Sequence, residues 1–157
     1  MYKRILLASD GSRETLVALR EGALIAKAVR AEAFLLIVER ETPGRRVADA
    51  VHPLPTNAEL TDLLTLGLAR LERLGVKARG ELAVDEPAKA IGAAARRFAA
   101  DLVVVGYRRQ GALERWWSGG SGAYLVDHVG CSLLIARNLV SDDEFEAAIA
   151  AAEAQPA

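Results

Sequence analysis

Short apolar runs alternate with longer stretches of helical periodicity along this chain. Residues 5–9, 33–38 and 102–105 are apolar, and the second of these runs is continuous, as expected of a strand buried on both faces. Residues 76–84 alternate polar and apolar side chains, which predicts a half-exposed edge strand. Residues 132–136 form a last apolar run, so the pattern predicts five strands.

Helical signals occupy the intervals between these runs. Thr56 with Glu59, and Ser141 with Glu144, have the spacing of capping boxes, in which a hydroxyl and a carboxylate satisfy the first free amides of a helix. Pro87 is favoured at a first helical position because its missing N–H would have no partner there. The predicted helices follow Ser12, Thr56, Glu86, Ser121 and Ser141.

The order of these elements predicts an α/β fold. Parallel neighbours need crossover connections, so strands that alternate with helices form an open, mainly parallel sheet with helices on both faces. Such a sheet has a point where the strand order reverses, and ligands bind there, beyond the carboxyl ends of the strands. We expect one α/β domain over residues 1–140 and a C-terminal helical extension over 141–157. The candidate ligand-binding positions are therefore in the loops that follow the strands, at Asp10, Glu39, Asp85 and Gly106.

Composition narrows the classes of function. The net charge of −1 provides no overall field that would recruit nucleic acid or an anionic membrane surface. No apolar run approaches the roughly 20 residues that span a bilayer, and the N-terminus lacks a signal-peptide pattern. The single cysteine excludes an internal disulfide. We therefore expect a cytoplasmic protein that binds neither nucleic acid nor membrane.

One segment, residues 106–122, combines glycines with cationic side chains. Glycine lets backbone amides approach a ligand closely, and amides that precede a helix form an anion site with the helix dipole. Arg108, Arg109 and Arg115 add positive charge to the same stretch. The segment is either a phosphate cradle or a loop whose arginines are merely solvated, and composition alone does not separate the two.

These features together resemble the universal stress protein family, from the N-terminus to Arg137. Residues 5–12, which end in Asp-Gly-Ser, look like that family's first strand and turn, and residues 85–88 resemble the start of its third helix. Residues 103–106 and 119–135 fit without a gap. The resemblance implies a Rossmann-like, adenine nucleotide α-hydrolase-like sheet in the order 3-2-1-4-5, with its switch point between strands one and four.

The resemblance also implies a nucleotide site, although its motif is incomplete. Nucleotide-binding members carry G-x2-G-x9-G-[ST], which wraps the ribose and phosphates of ATP. Gly106 and Gly119 match the first and third glycines, whereas Arg109 and Gly120 stand at the second glycine and the hydroxyl position. Ser121 restores a hydroxyl after a shift of one residue. Arg109 either pairs with a phosphate as a charge-assisted donor or fills the pocket.

Other site positions implied by the resemblance lie on the strands. Ser9 and Asp10 match the end of strand one near the ribose and phosphates, where Asp10 would help to hold Mg²⁺. Val38 matches the residue whose backbone groups contact the adenine edge, and Ala8 and Val105 would line the base pocket. From the residues alone, Asp10 is a turn or helix-capping residue and Val38 packs in the core. The implied cofactor is ATP or another adenine nucleotide.

The last strand would lie at an edge of this sheet and offers an apolar template for pairing with another chain. Family members commonly dimerise by pairing this strand with its copy across a two-fold axis. Trp116 and Trp117 either pack beneath the glycine-rich loop, cover the pocket or contact a second subunit, with packing or an interface favoured. We expect a homodimer through Leu133, Leu134, Ile135 and Ala136.

No motif for nucleophilic catalysis is recognisable. His52 is interpreted as a solvated side chain, His128 as a helix-end residue and Cys131 as a buried small hydrophobe. The leading hypothesis is a regulatory protein of the stress response that binds an adenine nucleotide. The alternative is a ligand-free dimeric module that acts through a protein partner, since the motif is degraded at Arg109 and Gly120. No catalysis is expected, with weak ATP hydrolysis beside Asp10 as a third hypothesis.

Overall fold

The architecture is given by a computed structural model that describes residues 1–40, 56–106, 121–137 and 140–154. Each predicted strand is found, with both ends within two residues of the predicted range. The strands are β1 (Arg4–Ser9), β2 (Glu32–Arg40), β3 (Ala78–Asp85), β4 (Leu102–Gly106) and β5 (Ser132–Ala136). The helices are α1 (Arg13–Val29), α2 (Asn57–Arg73), α3 (Pro87–Phe98), α4 (Ser121–His128) and α5 (Asp142–Glu153).

The strands form one sheet in the order β3-β2-β1-β4-β5, and every neighbouring pair is parallel. This confirms both the α/β fold class and the strand order that the family resemblance implied. The apolar strands β2, β1 and β4 lie inside the sheet, where helices cover both faces. The alternating strand β3 lies at an edge, as its pattern predicts.

Helices cover the two faces of the sheet unequally. Successive strand side chains point to opposite faces, so Leu7 packs on the face covered by α1, α2 and α5, whereas Leu6 packs on the face covered by α3 and α4. Two apolar cores result, one on each face of the sheet.

Capping boxes position two of the helices as the sequence predicts. Thr56 with Glu59 begins α2, and Ser141 with Glu144 begins α5. The pKa of each glutamate is lowered because its carboxylate accepts hydrogen bonds from the backbone amide and the hydroxyl of the cap residue. This contribution to stability is complete at neutral pH and is lost as the pH falls through the lowered pKa.

Helix α5 packs against α1 and α2 through one apolar stripe. Phe145 and Ile149 are buried, Ala148 is half-buried against the same core, and the charged residues 142–144 and 146 are exposed. Arg20 on α1 donates to the Val140 carbonyl oxygen at 2.9 Å. The C-terminal extension is therefore part of the core on this face of the sheet.

Candidate functional site

The strand order reverses between β1 and β4. From β1 the chain crosses through α1 on one face of the sheet to β2, whereas α4 precedes β5 on the opposite face. The carboxyl ends of β1 and β4 lie side by side, with Ala8 paired to Val105. Open α/β sheets bind their ligands in the crevice at such a point.

Asp10 is held at the end of β1 by a set of hydrogen bonds that we call the Asp10 cluster: Ser9, Asp10, Ser12 and Thr15. The Asp10 Oδ1 atom accepts from the Ser12 amide at 2.9 Å and from the Thr15 hydroxyl at 2.7 Å. Ser9 Oγ accepts from the Gly11 amide at 3.0 Å and lies 2.7 Å from Thr15 Oγ1. Ser9 and Thr15 are 2% and 0% exposed, so the inner side of the cluster is shielded from water.

Gly106 lies at the end of β4, and helix packing requires a glycine there. A Cβ atom on Gly106 would lie 2.9 Å from the Ala18 Cβ and 3.0 Å from the Thr15 Cα. Helix α1 passes too close to this end of β4 for any side chain. A position that the family resemblance assigns to phosphate binding is thus also constrained by the contact between α1 and β4.

The three apolar residues predicted to surround the base have buried side chains. Ala8, Val38 and Val105 belong to the core beneath α3 and α4, together with Ile91 and Leu125. The contact with adenine that the resemblance implies for the backbone of Val38 stays a prediction. The assignment of Ala8 and Val105 to a base pocket stays a prediction.

Thr15 and Glu39 add polar groups to the carboxyl edge of the sheet. The sequence analysis did not single out Thr15, and the signal that would have found it is a hydroxyl in the first helical turn after an Asp-Gly-Ser turn. Glu39, at the end of β2, is buried, and its Oε2 atom accepts from the Asn57 Nδ2 atom at 3.4 Å. Glu39 therefore joins β2 to the beginning of α2.

Most of the glycine-rich segment lies outside the described residues. Ser121 is placed as the first residue of α4. Several residues for which the sequence predicts a role lie outside the described ranges, namely His52, Arg108, Arg109, Arg115, Trp116, Trp117, Gly119 and Gly120.

Cys131 is half-buried rather than fully buried as expected, and its thiol is not activated as a nucleophile. Burial and the negative charge of nearby Asp101 raise the pKa of its thiol, which keeps the thiol protonated at neutral pH. Across the described ranges, no group of three histidine, cysteine or acidic side chains is arranged to hold a metal ion. Nor is any helix in those ranges both long enough and apolar enough to cross a membrane.

Strand β5 lies at the edge of the sheet opposite β3. Leu133 and Leu134 are half-buried, and Ile135 is 36% exposed. Ala136 is fully buried in the core of its own chain. The interface predicted from the sequence would therefore involve partly exposed side chains at Leu133, Leu134 and Ile135, but only the backbone of Ala136.

The fold and its switch point define an open, Rossmann-like α/β domain. The model of the universal stress protein family matches residues 1–137, and the chain belongs to that family. The match ends before α5, so this helix is the part of the chain outside the family's common domain. A comparison with curated proteins finds no match.

Solved structures with this fold include proteins that contain nucleotides. The universal stress protein UspA from Lactobacillus plantarum is 22% identical, with a TM-score of 0.65 over 87% of this chain and 98% of that one. A family protein from Arabidopsis thaliana with AMP bound is 18% identical, with a TM-score of 0.58 over 90% and 97%. The universal stress protein from Archaeoglobus fulgidus in complex with dAMP is 17% identical, with a TM-score of 0.59 over 87% and 98%.

Proposed function

We propose that this universal stress protein binds an adenine nucleotide at the crevice between β1 and β4, as a regulatory ligand in the stress response. The main support is the Asp10 cluster, which fixes a carboxylate at the switch point through its Oδ1 atom. Among the described residues no hydrogen bond reaches Asp10 Oδ2, so this atom is free to contact a ribose hydroxyl or a cation. The amino end of α1 follows directly and favours negative charge nearby.

The residues present fit a nucleotide that carries Mg²⁺. This cation is usually held by one or two carboxylates together with phosphate oxygens, and Asp10 supplies one carboxylate. Bound Mg²⁺ would neutralise charge between Asp10 and the phosphates. The AMP-bound and dAMP-bound relatives support a nucleoside monophosphate or a longer adenine nucleotide as the ligand class.

Titration calorimetry with ATP, ADP and AMP, each with and without Mg²⁺, tests this proposal. We expect binding by the wild-type protein and a loss of about tenfold in Mg²⁺-dependent affinity in Asp10→Asn, since about 1.4 kcal/mol corresponds to a factor of ten. Asparagine still presents an oxygen to the Ser12 amide and the Thr15 hydroxyl, so the variant removes charge while it keeps the turn. Absence of both heat and thermal shift at millimolar nucleotide would refute the proposal.

A ligand-free interaction module is the second candidate, because Arg109 and Gly120 interrupt the glycine motif. If the wild-type protein binds no nucleotide and Arg109→Gly gains binding, this second function replaces the first. We propose that the protein binds its ligand without catalysing a reaction. We also propose that it is located in the cytoplasm. ATP hydrolysis that rises with protein concentration and disappears in Asp10→Ala would instead assign an enzymatic role to Asp10.

We also propose that the protein forms a homodimer through β5. Strand β5 is an edge strand of the sheet that the described residues form, so the backbone groups on its outer side have no partner strand within those residues. The apolar side chains of Leu133, Leu134 and Ile135 beside them are partly exposed, and the edge is suited to strand pairing. Two copies related by a two-fold axis would satisfy the same groups on both strands.

Sedimentation at micromolar concentration tests the dimer. We expect a dimer for the wild type and at least tenfold weaker association for Ile135→Lys, because the two-fold axis brings two like charges into an apolar contact. Val84→Lys is the matched control, since Val84 is 57% exposed on the opposite edge strand β3. A monomeric wild type, or equal weakening by both substitutions, would contradict pairing through β5.

A further inference from the structure

We infer that Thr15 is a positioning residue whose hydroxyl fixes the Asp10 carboxylate so that Oδ2 faces the cation of a bound Mg²⁺–nucleotide. This role rests on the proposed function and extends it to a residue that the glycine motif does not contain. Thr15 itself would touch neither nucleotide nor cation. It acts through Asp10.

Thr15 connects the two strands that form the crevice. Its side chain reaches Asp10 beyond β1, and its backbone lies against Gly106 at the end of β4. A Cβ atom on Gly106 would come within 3.0 Å of the Thr15 Cα and 3.1 Å of its carbonyl oxygen. The orientation of Asp10 is therefore tied to the spacing of β1 and β4.

The hydrogen bonds of the cluster have one consistent direction. Thr15 Oγ1 lies 2.7 Å from Asp10 Oδ1, 2.7 Å from Ser9 Oγ, and 3.0 Å from both Ser12 Oγ and the Ser12 carbonyl oxygen. It has a single hydrogen, for which the Asp10 carboxylate and the more distant Ser12 carbonyl compete. An ionised carboxylate accepts only, and a charge-assisted bond is the strongest available. The Thr15 hydroxyl therefore donates to Asp10, and the Ser9 and Ser12 hydroxyls donate to Thr15.

This direction agrees with the backbone donors around the cluster. Ser9 Oγ accepts from the Gly11 amide at 3.0 Å, and Ser12 Oγ accepts from the Thr15 amide at 3.4 Å. Each serine oxygen thus receives a backbone N–H while its own hydrogen points to Thr15. Thr15 accepts hydrogen bonds from both serine hydroxyls and donates one hydrogen bond to Asp10. The two accepted bonds polarise the Thr15 hydroxyl and strengthen the bond that it donates.

Two donors on one oxygen restrict the rotation of the carboxylate. Asp10 cannot turn without breaking the bonds from the Ser12 amide and the Thr15 hydroxyl. A metal-coordinating carboxylate that is already oriented in the free protein loses less conformational entropy when the cation binds. Mg²⁺ demands near-ideal octahedral geometry, so loss of this orientation affects the Mg²⁺ complex more than the metal-free nucleotide.

Calorimetric titration of Thr15→Val and Thr15→Ser with ATP, with and without Mg²⁺, tests this role. We expect Thr15→Val to lose about tenfold in affinity with Mg²⁺ and less than twofold without it, whereas Thr15→Ser stays within twofold of wild type in both. Thr61→Val is the matched control, because the Thr61 hydroxyl donates to the Asn57 carbonyl oxygen on the exposed face of α2. It should change neither titration.

A double-mutant cycle with Asp10→Asn separates positioning from a general effect on folding. If Thr15 acts through Asp10, the two losses do not add, and the double variant binds Mg²⁺–ATP no more than twofold less tightly than Asp10→Asn. Hydrogen exchange of the ligand-free protein gives a second readout. The Ser12 amide should exchange at least several-fold faster in Thr15→Val, since it shares Asp10 Oδ1 with the lost hydroxyl. Thr15→Ala serves the same purpose if the valine variant does not fold.

The outcomes distinguish this role from the proposed function. A wild-type protein that binds no nucleotide refutes both. Nucleotide binding that lacks any Mg²⁺ dependence, or Mg²⁺ dependence that persists in Thr15→Val, refutes the role of Thr15 alone. Additive losses in the cycle likewise exclude action through Asp10.

Discussion

Replacing Gly106 with alanine should lower the free energy of unfolding by about 2 kcal/mol, because the added methyl group overpacks the contact between β4 and α1. The methyl carbon would lie 2.9 Å from the Ala18 Cβ and 3.0 Å from the Thr15 Cα, where no flexible chain end can move aside. The first turn of α1 would have to shift away from β4. Thr15 moves with that turn, so nucleotide affinity should fall together with stability.

Urea denaturation of the wild type and two alanine variants measures this effect. Gly92→Ala is the control, since its new Cβ would meet only the Arg96 Nη1 atom at an ordinary 3.6 Å. Inside helix α3 the change from glycine to alanine should stabilise the protein by roughly 0.5–1 kcal/mol. A loss below about 0.5 kcal/mol for Gly106→Ala, or the same sign for both variants, would contradict the packing explanation.

Gly106 shows where sequence information about the site ends. The family resemblance locates it at the first glycine of the nucleotide motif, directly after a buried strand. Its contact with Thr15 and Ala18 depends on how closely α1 crosses β4, which is a tertiary distance. No local pattern around either segment reports that distance.

The elements of the fold were predictable because their signals are local. The capping box at Thr56 and the proline at Pro87 begin α2 and α3 where the sequence predicts. Apolar runs likewise mark the buried strands. The strand order is different, because it depends on which strands pair across long crossovers, and it came from the family resemblance rather than from periodicity.

Asp10 and Thr15 illustrate the same limit within the candidate site. Asp10 follows an apolar run within an Asp-Gly-Ser turn, so its position beyond β1 is evident from the sequence. Thr15 looks like an ordinary helical residue between Glu14 and Leu16. The turn at Gly11, whose φ of 79° is in the left-handed region, helps to bring the Thr15 hydroxyl back to Asp10.

Helix α5 was predicted from its capping box, whereas the site on which it packs was not. Phe145 and Ile149 lie one turn apart and form the buried stripe that an amphipathic helix needs. The sequence does not say whether they meet the sheet edge or another helix. In the structure they join the core of the face covered by α1 and α2.

Phe145→Ala should therefore cost about 3 kcal/mol in stability. The ring is 4% exposed and lies between Arg20 and Arg70, whose guanidinium carbons are 5.7 Å and 5.1 Å from its centroid. It also lines a crevice of about 100 Å³ between α1 and α2, together with Leu7 and Leu35. Truncation would join the volume of the ring to this crevice and remove most of the apolar contact of α5.

Apolar contact, rather than ion pairing, should account for most of this loss. Arg70 pairs with Glu146 at 2.5 Å and Arg73 with Glu153 at 2.8 Å, but both carboxylates face solvent, where such pairs contribute little. Adding 1 M salt screens surface charges. In urea denaturation of the wild type it should therefore lower the free energy of unfolding by less than a third of the loss expected for Phe145→Ala. Val126→Ala, at a side chain 61% exposed, should change stability by less than about 0.5 kcal/mol.

If α5 leaves the core without global unfolding, the free energy of its docking limits what Phe145→Ala can cost. Once the docking free energy of α5 is lost, further damage to its contacts no longer affects the rest of the chain. Hydrogen exchange then shows faster exchange of the α5 amides, with unchanged protection in β1 and β4. Uniformly faster exchange throughout the sheet would mean instead that α5 and the α/β domain unfold as one cooperative unit.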